Sequence, residues 1–436
     1  MFYAHLTDYF MPKQVQTSIV QEYDEMVPPN NPINPDQAGA LNTIEFSMKG
    51  AVDLYRDLNN SYLMLQLKVV KSDNSNLALD APVSLTNLPL HSLFSNVGLT
   101  LCGKEITEND TLYPYRAYLE TLLNYDKEVL ETRCEAEGWA KDTAGCMDNL
   151  VLVKAGSGPE PNKGFVARQE MIKGSKPFTL VGRPHLDLFH QNLDIPPGCS
   201  IVIKFTPSPA GFALMEADTG TSKILLLDAK FFVRTKRLSP ELILGHKEML
   251  ERADMFFPVN RVMVKRIGVS PGFTHVDIPL LFPAKLPKRI VVGFVKNTAS
   301  AGKRDENPFN FRHLGITRLS LNVNGQQIPA NELTMNFATG DVQRAYLNTL
   351  AALGYDNGDR SINIKTKDFA QGYTLFGFKI APGPIDGNVH SASNTVGSMN
   401  LSAHFAHGLV DNVDLIVFAE LPATVEINKL GDVIVV

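Results

Sequence analysis

The chain has 436 residues, 44% of them hydrophobic and 20% charged, with a formal net charge of -5 and a sequence pI near 6.1. This balance excludes a disordered, collagenous or disulfide-framework protein, and it offers no basic footprint for nucleic acid, so any DNA would be contained rather than read. One core stops growing at roughly 250–300 residues, so two domains are expected.

The N-terminus, MFYAHLTDYFMPKQ, lacks a basic start followed by an apolar run and does not read as a secretory signal. Pro28-Pro29-Asn30-Asn31-Pro32 and Asn34-Pro35 suppress regular structure, so residues 1–40 are expected to form an extended arm. Beyond it the pattern is β. Segments 61–70, 97–102, 201–205 and 224–233 are short, rich in Val, Ile, Leu and Phe, and bounded by turn residues. Segments 289–295, 316–323, 373–380 and 414–418 repeat the pattern in the second half. In Leu319-Ser320-Leu321-Asn322-Val323 the alternation puts the apolar side chains on one face of a half-buried strand.

Helices are few. Residues 113–133 place Tyr115, Leu119, Leu122 and Val129 near one face, with Asp110 or Thr111 as cap and Pro114 in the first turn. Residues 341–353 repeat the scheme, with Asp341 as cap and Gly354 as stop; 240–252 is a weaker third candidate. The longest apolar runs, such as 224–227 and 290–295, fall far short of the about 20 residues that a membrane-spanning helix needs. Many short strands with sparse helices predict an all-β protein built of sandwiches or jelly rolls.

An internal repeat organises these elements. Arg116-Ala117-Tyr118-Leu119-x-Thr121-Leu122 recurs as Arg344-Ala345-Tyr346-Leu347-x-Thr349-Leu350. Upstream, Leu101-x-Gly103-x-x-Ile106 recurs as Val323-x-Gly325-x-x-Ile328, and 62–68 falls on 290–296 in pattern. A period of more than 200 residues is far too long for a solenoid unit of roughly 20–50 residues and means two whole domains of one fold. The expected division is an arm at 1–40, a first domain at 41–238, a helical linker at 239–256, and a second domain with a short C-terminal tail at 257–436. Gly- and Pro-bearing loops are expected at 156–164 and 383–398.

Little in the sequence suggests chemistry. Gly98-Leu99-Thr100-Leu101-Cys102-Gly103-Lys104-Glu105 is one residue from a phosphate-binding loop. Its last position is Glu105 where Ser or Thr must hold magnesium, and its middle alternates as a strand, so a hairpin is expected. Asp218-Thr219-Gly220-Thr221 resembles the aspartic protease triplet, but no second Asp-Thr-Gly or Asp-Ser-Gly exists to share a proton; a polar turn before the 224 strand is expected. His404 and His407 would point to opposite faces of a strand and cannot chelate together. They and the pair His185 and His190 read as structural or surface histidines.

Cys102, Cys134, Cys146 and Cys199 form no C-x-x-C pair, which argues against a zinc ribbon or thioredoxin-type site. A reducing site of synthesis fits, and the sequons at Asn59, Asn109 and Asn400 then carry no weight. The basic runs Arg234-Thr235-Lys236-Arg237 and Lys265-Arg266 read as solvated or interface charge. No catalytic, cofactor-binding or metal site is assigned, and the chain is not expected to be an enzyme.

Several segments carry a family resemblance. In the second half these are 286–295 (LPKRIVVGFV), 307–311 (NPFNF), Asn324-Gly325, the Tyr346 helix ending Gly354-Tyr355, 369–373 (FAQGY), 413–418 (VDLIVF) and 425–430 (VEINKL). In the first half they are 112–118 (LYPYRAY) with Glu120-Thr121-Leu122, and Trp139-x-Lys141-Asp142. Together they resemble the hexon-like major capsid proteins of Maverick/Polinton elements and adintoviruses, in order and over about three quarters of the chain.

The resemblance implies two tandem eight-stranded jelly rolls in an upright pair, three chains forming a pseudo-hexameric trimer, and an icosahedral shell around a double-stranded DNA genome. It also implies neighbouring capsomers and a penton-type single jelly-roll protein as partners, synthesis in the cytoplasm with assembly in the nucleus, and an arm that orders only against neighbouring subunits. Other classes remain open: a jelly-roll carbohydrate-binding protein presenting Trp139 beside Lys141 and Asp142, or a hydrolase using Asp218.

Overall fold

A computed structural model describes residues 16–33, 41–107, 110–154, 158–279, 282, 286–356, 359–381, 397–429 and 431–435. The first half contains β1 (Ile19–Val27), β2 (Ile44–Met48), β3 (Leu54–Val70), β4 (Ser84–Leu85), β5 (Phe94–Leu101), β6 (Lys104–Glu105), β7 (Phe178–Gly182), β8 (Ile201–Pro207), β9 (Leu214–Met215) and β10 (Lys223–Leu238). The second contains β11 (Met255–Val269), β12 (His275–Pro279), β13 (Arg289–Lys296), β14 (Ile316–Val323), β15 (Gln326–Thr334), β16 (Leu375–Lys379), β17 (Met399–Phe405), β18 (Val413–Ile427) and β19 (Val433–Val435).

The pairing is the same in both halves. The first makes a sheet in the order β1-β10-β3-β7 and a facing sheet β2-β8-β5-β6; the second makes β11-β18-β13-β16 and β12-β17-β14-β15. Each strand of the first set thus has a counterpart of equal rank in the second. All these pairs run antiparallel. Eight strands wound into two four-stranded sheets are a jelly roll, and the chain holds two in tandem. Two small additions stand outside the scheme: β19 folds back on β18, and β4 pairs with β9.

Alternation explains which faces meet. In β2, Ile44, Phe46 and Met48 are buried while Glu45 and Ser47 are not; in β17, Met399, Leu401, Ala403 and Phe405 point inward. By contrast β13 and the first nine residues of β18 are buried on nearly every position. The helix Gln343–Leu353 covers β13 and β16 from outside, and the helix Tyr113–Asn124 reaches β18 from the first barrel. The repeat extends to backbone geometry. Cys102-Gly103 (φ 50° and 83°) and Asn324-Gly325 (φ 50° and 80°) both turn their hairpins with two positive φ angles, the twist-matched two-residue turn.

Several expectations change in detail. Residues 19–27 of the expected arm form β1, in register with β10 from Ile19↔Leu238 to Val27↔Phe231, so this part orders on its own chain rather than only against a neighbour. The helix expected over 113–133 breaks at Tyr125, where extended backbone ends it; Asp126 then accepts from the Val129 amide and caps a second helix, Lys127–Glu131. The caps differ too: Leu112 and Val342 hold the N-cap positions without side-chain bonds, while Gly354 ends its helix in the left-handed region. The strand expected from 373 begins at Leu375, because Tyr373 is engaged elsewhere. Between the barrels, β10 ends at Leu238, the helix Pro240–Leu250 follows, and β11 already begins at Met255. The loop expected at 383–398 lies outside the described residues up to 396, as do Asn109 and the first fifteen residues of the arm.

Candidate functional site: the seam between the two barrels

Several of the segments that carry the family resemblance converge in space. From the first barrel come the helix Tyr113–Asn124 and the stretch 139–149; from the second come the loop 307–312 and residues 363–373. Pro114 starts the helix where its missing amide costs nothing. Ten of its residues are buried, because it lies between the barrels rather than on one of them.

At the centre, Tyr118 stacks on Phe309 with ring centroids 4.1 Å apart and planes 3° from parallel. Tyr115 meets the edges of Phe309 and Phe212, and Trp139 closes the far side of Tyr118 at 5.6 Å. The Tyr115 hydroxyl donates to the Pro308 carbonyl at 3.1 Å. Such aromatic pairs contribute about 0.5–1.5 kcal/mol each beyond the area they bury.

A polar clamp surrounds this stack. Asp142 is fully buried and pairs with the equally buried Arg168 at 2.7 Å. The remaining guanidinium nitrogens donate to the Leu85 and Ala140 carbonyls, and Asn162 donates to the same Asp142 oxygen. Across the seam, Asn307 Nδ2 donates to the second Asp142 oxygen at 3.1 Å and the Tyr373 hydroxyl to the Asp142 carbonyl at 2.7 Å. Asp148 accepts from the Asn307 amide, Asn310 and Arg312, while Lys141 pairs with Asp368 at 2.6 Å. A buried ion pair contributes stability only when its other valences are filled, and here they are. Gly164 is required beside it, since a Cβ there would lie 2.6 Å from Asp142 Oδ1.

Two further ties flank the clamp. Arg289 of β13 pairs with Glu420 of β18 at 2.6 Å and reaches Asn124 of the first barrel. Arg304 pairs with Glu216, which also accepts from Ser222. A cleft of about 530 Å³ opens along this side of the seam, with Arg116, Glu120, Arg183, Arg289, Arg360 and Glu420 on its walls.

The sequence-level candidates fall as follows. Residues 98–105 form the β5–β6 hairpin. Asp218 lies in an exposed turn before β10, and its acidic neighbour Glu216 is committed to Arg304 and Ser222. His404 packs against His275 across β12 and β17 at the exposed surface, and His407 lies past the strand end at Phe405. Trp139 is 4% exposed and serves the aromatic stack, so it presents no face to a sugar.

The basic run at 234–237 is not freely solvated: Arg234 pairs with Asp24 and Glu22 of β1, Lys236 with Asp57 and Asp194, and Arg237 with Asp53. Cys199 lies against Cys102 at the β5–β6 turn, within reach of a thiol–thiol hydrogen bond that lowers the Cys102 thiol. His185 and His190 do come together around Glu120, their rings 5.5 Å apart. What sequence reading missed is a third histidine, His91, against His185 at 4.7 Å, with Glu137 beside it. These residues arrive from three distant segments, and no local spacing links them.

No protein-family model matches the chain. An uncharacterized protein of Caenorhabditis elegans is 25% identical over 360 residues, covering 79% of this chain and 81% of its own length. Among solved structures, a chain of the Sputnik virophage superposes with a TM-score of 0.59 at 11% identity, over 98% of this chain and 90% of its own. The PBCV-1 virus capsid gives 0.56 at 10% identity, over 98% and 99%. The mavirus major capsid protein gives 0.54 at 13% identity, over 100% and 94%. The chain therefore shares, along its whole length, the double jelly-roll fold of these viral capsid proteins.

Proposed function

We propose that this chain is a major capsid subunit of a Maverick/Polinton- or adintovirus-type element: a non-enzymatic protein that assembles as a pseudo-hexameric trimer and tiles an icosahedral shell around double-stranded DNA. The observation that carries the reading is a surface used once within the chain and presented a second time outside it. The first copy of the repeated helix, Tyr113–Asn124, is buried against β11 and β18 of the second barrel. The second copy, Gln343–Leu353, leaves Leu347 60% exposed. The counterparts of β11 and β18 in the first barrel are β1 and β10, and β1 exposes Val20 (63%) and Met26 (51%).

Repeating the in-chain contact between subunits would bring the helix Gln343–Leu353 of one chain onto β1 and β10 of the next. Three chains close such a ring, and closed symmetry satisfies every copy. Six similar barrels then tile a facet with one kind of chain. A penton-type single jelly-roll protein would fill the five-fold positions. An animal relative beside viral structural neighbours is what an element resident in host genomes would leave.

Native mass determination of the purified chain is expected to give a trimer, and images a roughly hexagonal block with three-fold symmetry. A strict monomer at micromolar concentration overturns the proposal. Leu347→Asp is expected to keep the monomer folded, with thermal stability within about 0.5 kcal/mol of the wild type as for a surface change, while abolishing the trimer.

A further inference from the structure

The chemistry of a buried histidine–carboxylate cluster in the first barrel goes beyond a shell-building role. His91 lies on the short helix Pro89–Ser92, Glu137 ends the turn Arg133–Glu137, and His185 follows β7. They are 3%, 8% and 3% exposed. One ligand atom from each lies within 4.8 Å of the other two. His91 Nε2 and Glu137 Oε2 face each other at 3.4 Å, yet neither has a hydrogen-bond partner among the described residues. Two buried polar atoms left without partners are destabilising unless something between them satisfies both.

The other ring nitrogens are already engaged. His91 Nδ1 meets the Tyr113 hydroxyl at 2.9 Å, and His185 Nδ1 meets Glu120 Oε2 at 2.5 Å. A carboxylate on Nδ1 fixes the proton there and leaves Nε2 as a lone-pair donor, the outer-shell arrangement that orients metal-ligating imidazoles. Among the described residues, His185 Nε2 meets the Thr121 hydroxyl at 3.3 Å.

The cradle is shaped for close approach. A Cβ on Gly182 would lie 2.5 Å from Glu137 Cγ, and one on Gly138, at φ +84°, 2.3 Å from Pro89 Cγ. Donors bound at about 2.0–2.2 Å around a tetrahedral zinc ion stand about 3.3–3.6 Å apart, which the His91–Glu137 separation of 3.4 Å already meets. His185 has a donor within 4.8 Å of both and would have to approach further to bind.

We propose that His91 Nε2, His185 Nε2 and Glu137 form a binding site for a divalent transition-metal ion of the zinc class, with water or the second Glu137 oxygen as fourth donor. Two imidazoles and a carboxylate favour Zn²⁺ over Ca²⁺ or Mg²⁺, which require oxygen cages. The ion would tie together three segments otherwise far apart in sequence. Its outer-shell partners, Tyr113 and Glu120, belong to the seam helix, so the ion would also brace the helix that joins the barrels.

The test uses the full chain, stripped with chelator and titrated with Zn²⁺ and with Co²⁺. The wild type is expected to take up one ion per chain, to show the absorption of tetrahedral Co²⁺, and to melt at a higher temperature when loaded. His91→Gln and Glu137→Gln are expected to lose both the binding and the thermal shift, and Glu120→Gln to weaken binding about 10–100-fold. Absence of stoichiometric uptake by the wild type overturns the proposal, as does uptake unchanged in Glu137→Gln. If a variant fails to fold, the Co²⁺ spectrum of the wild type decides alone: an octahedral spectrum or none refutes the site. The outcome is independent of whether the chain trimerises.

Discussion

The two copies of the repeated helix have nearly the same residues and opposite surroundings. In the first, Arg116 is almost buried, pairing with Glu120 at 3.1 Å and Asp187 at 2.5 Å; in the second, Arg344 donates to the backbone carbonyls of Glu332 and Asn331 at the surface. Tyr118 is wholly buried in an aromatic stack, whereas Tyr346 is half-buried and donates to the Ile364 carbonyl. Leu119 is 1% exposed and its counterpart Leu347 60%. A duplicated sequence therefore does not fix a duplicated environment. The first copy has a second barrel to lie against within the chain; the second copy turns Leu347 outward, uncovered by any of the described residues.

This contrast can be broken most severely at the clamp, which supports the first copy alone. Asp142→Ala leaves Arg168 charged and wholly buried without its carboxylate. It is expected to cost about 3–5 kcal/mol, the penalty for an orphaned buried ion, read as a lowered denaturant midpoint. Equal stability of the variant would show that water reaches Arg168.

The paired truncation sharpens the comparison directly. Tyr118→Ala empties a buried aromatic site and is expected to cost about 3–5 kcal/mol. Tyr346→Ala removes one hydrogen bond and a half-buried ring, with an expected cost nearer 1 kcal/mol. Thermal melts of the two variants under identical conditions make the measurement. Similar losses at both positions would mean that the second helix is already covered, and that the asymmetry described above does not exist in solution.

Much of the fold could be read from the chain because the central strands carry their own signal. β14, β13 and β10 are apolar and bounded by turns, and the hairpin glycines Gly103 and Gly325 recur in register. The edge strands were illegible for a physical reason. β1, β12 and β15 expose most of their side chains, so their apolar residues are few and any alternation is short, and backbone pairing more than burial holds them. The seam was half legible. Its motifs at 139–142, 307–311 and 369–373 stood out as resemblances, but joining Asp142 to Asn307 and Tyr373 needed the packing of two barrels. The His91–Glu137–His185 cluster left no trace, since each member is ordinary within its own segment.

The smallest expected effect concerns β1 and β10, the surface proposed to receive the exposed helix. Lys236 of β10 lies between Asp57 at 2.7 Å and Asp194 at 3.0 Å. Burial raises the Asp57 carboxyl, but the bonds from Lys236 and Asn60 outweigh it and hold it below its ordinary value. Burial and the nearby Asp57 charge instead leave Asp194 raised, despite the same lysine. The linkage then has opposite signs. Asp57, depressed on folding, contributes stability that is present above the unfolded value of about 3.9 and lost as pH falls through its folded value. Asp194, raised on folding, binds its proton more tightly in the native state, so its contribution declines as pH rises from about 3.9 through its folded value. Asp57→Asn should therefore destabilise most near neutral pH and converge on the wild type in acid. Asp194→Asn should do the reverse, relieving at neutral pH a charge that folding disfavours. Chemical denaturation of both variants across the acid range checks the pair; parallel curves would mean that Lys236 serves the two carboxylates equally and that only their shared charge matters.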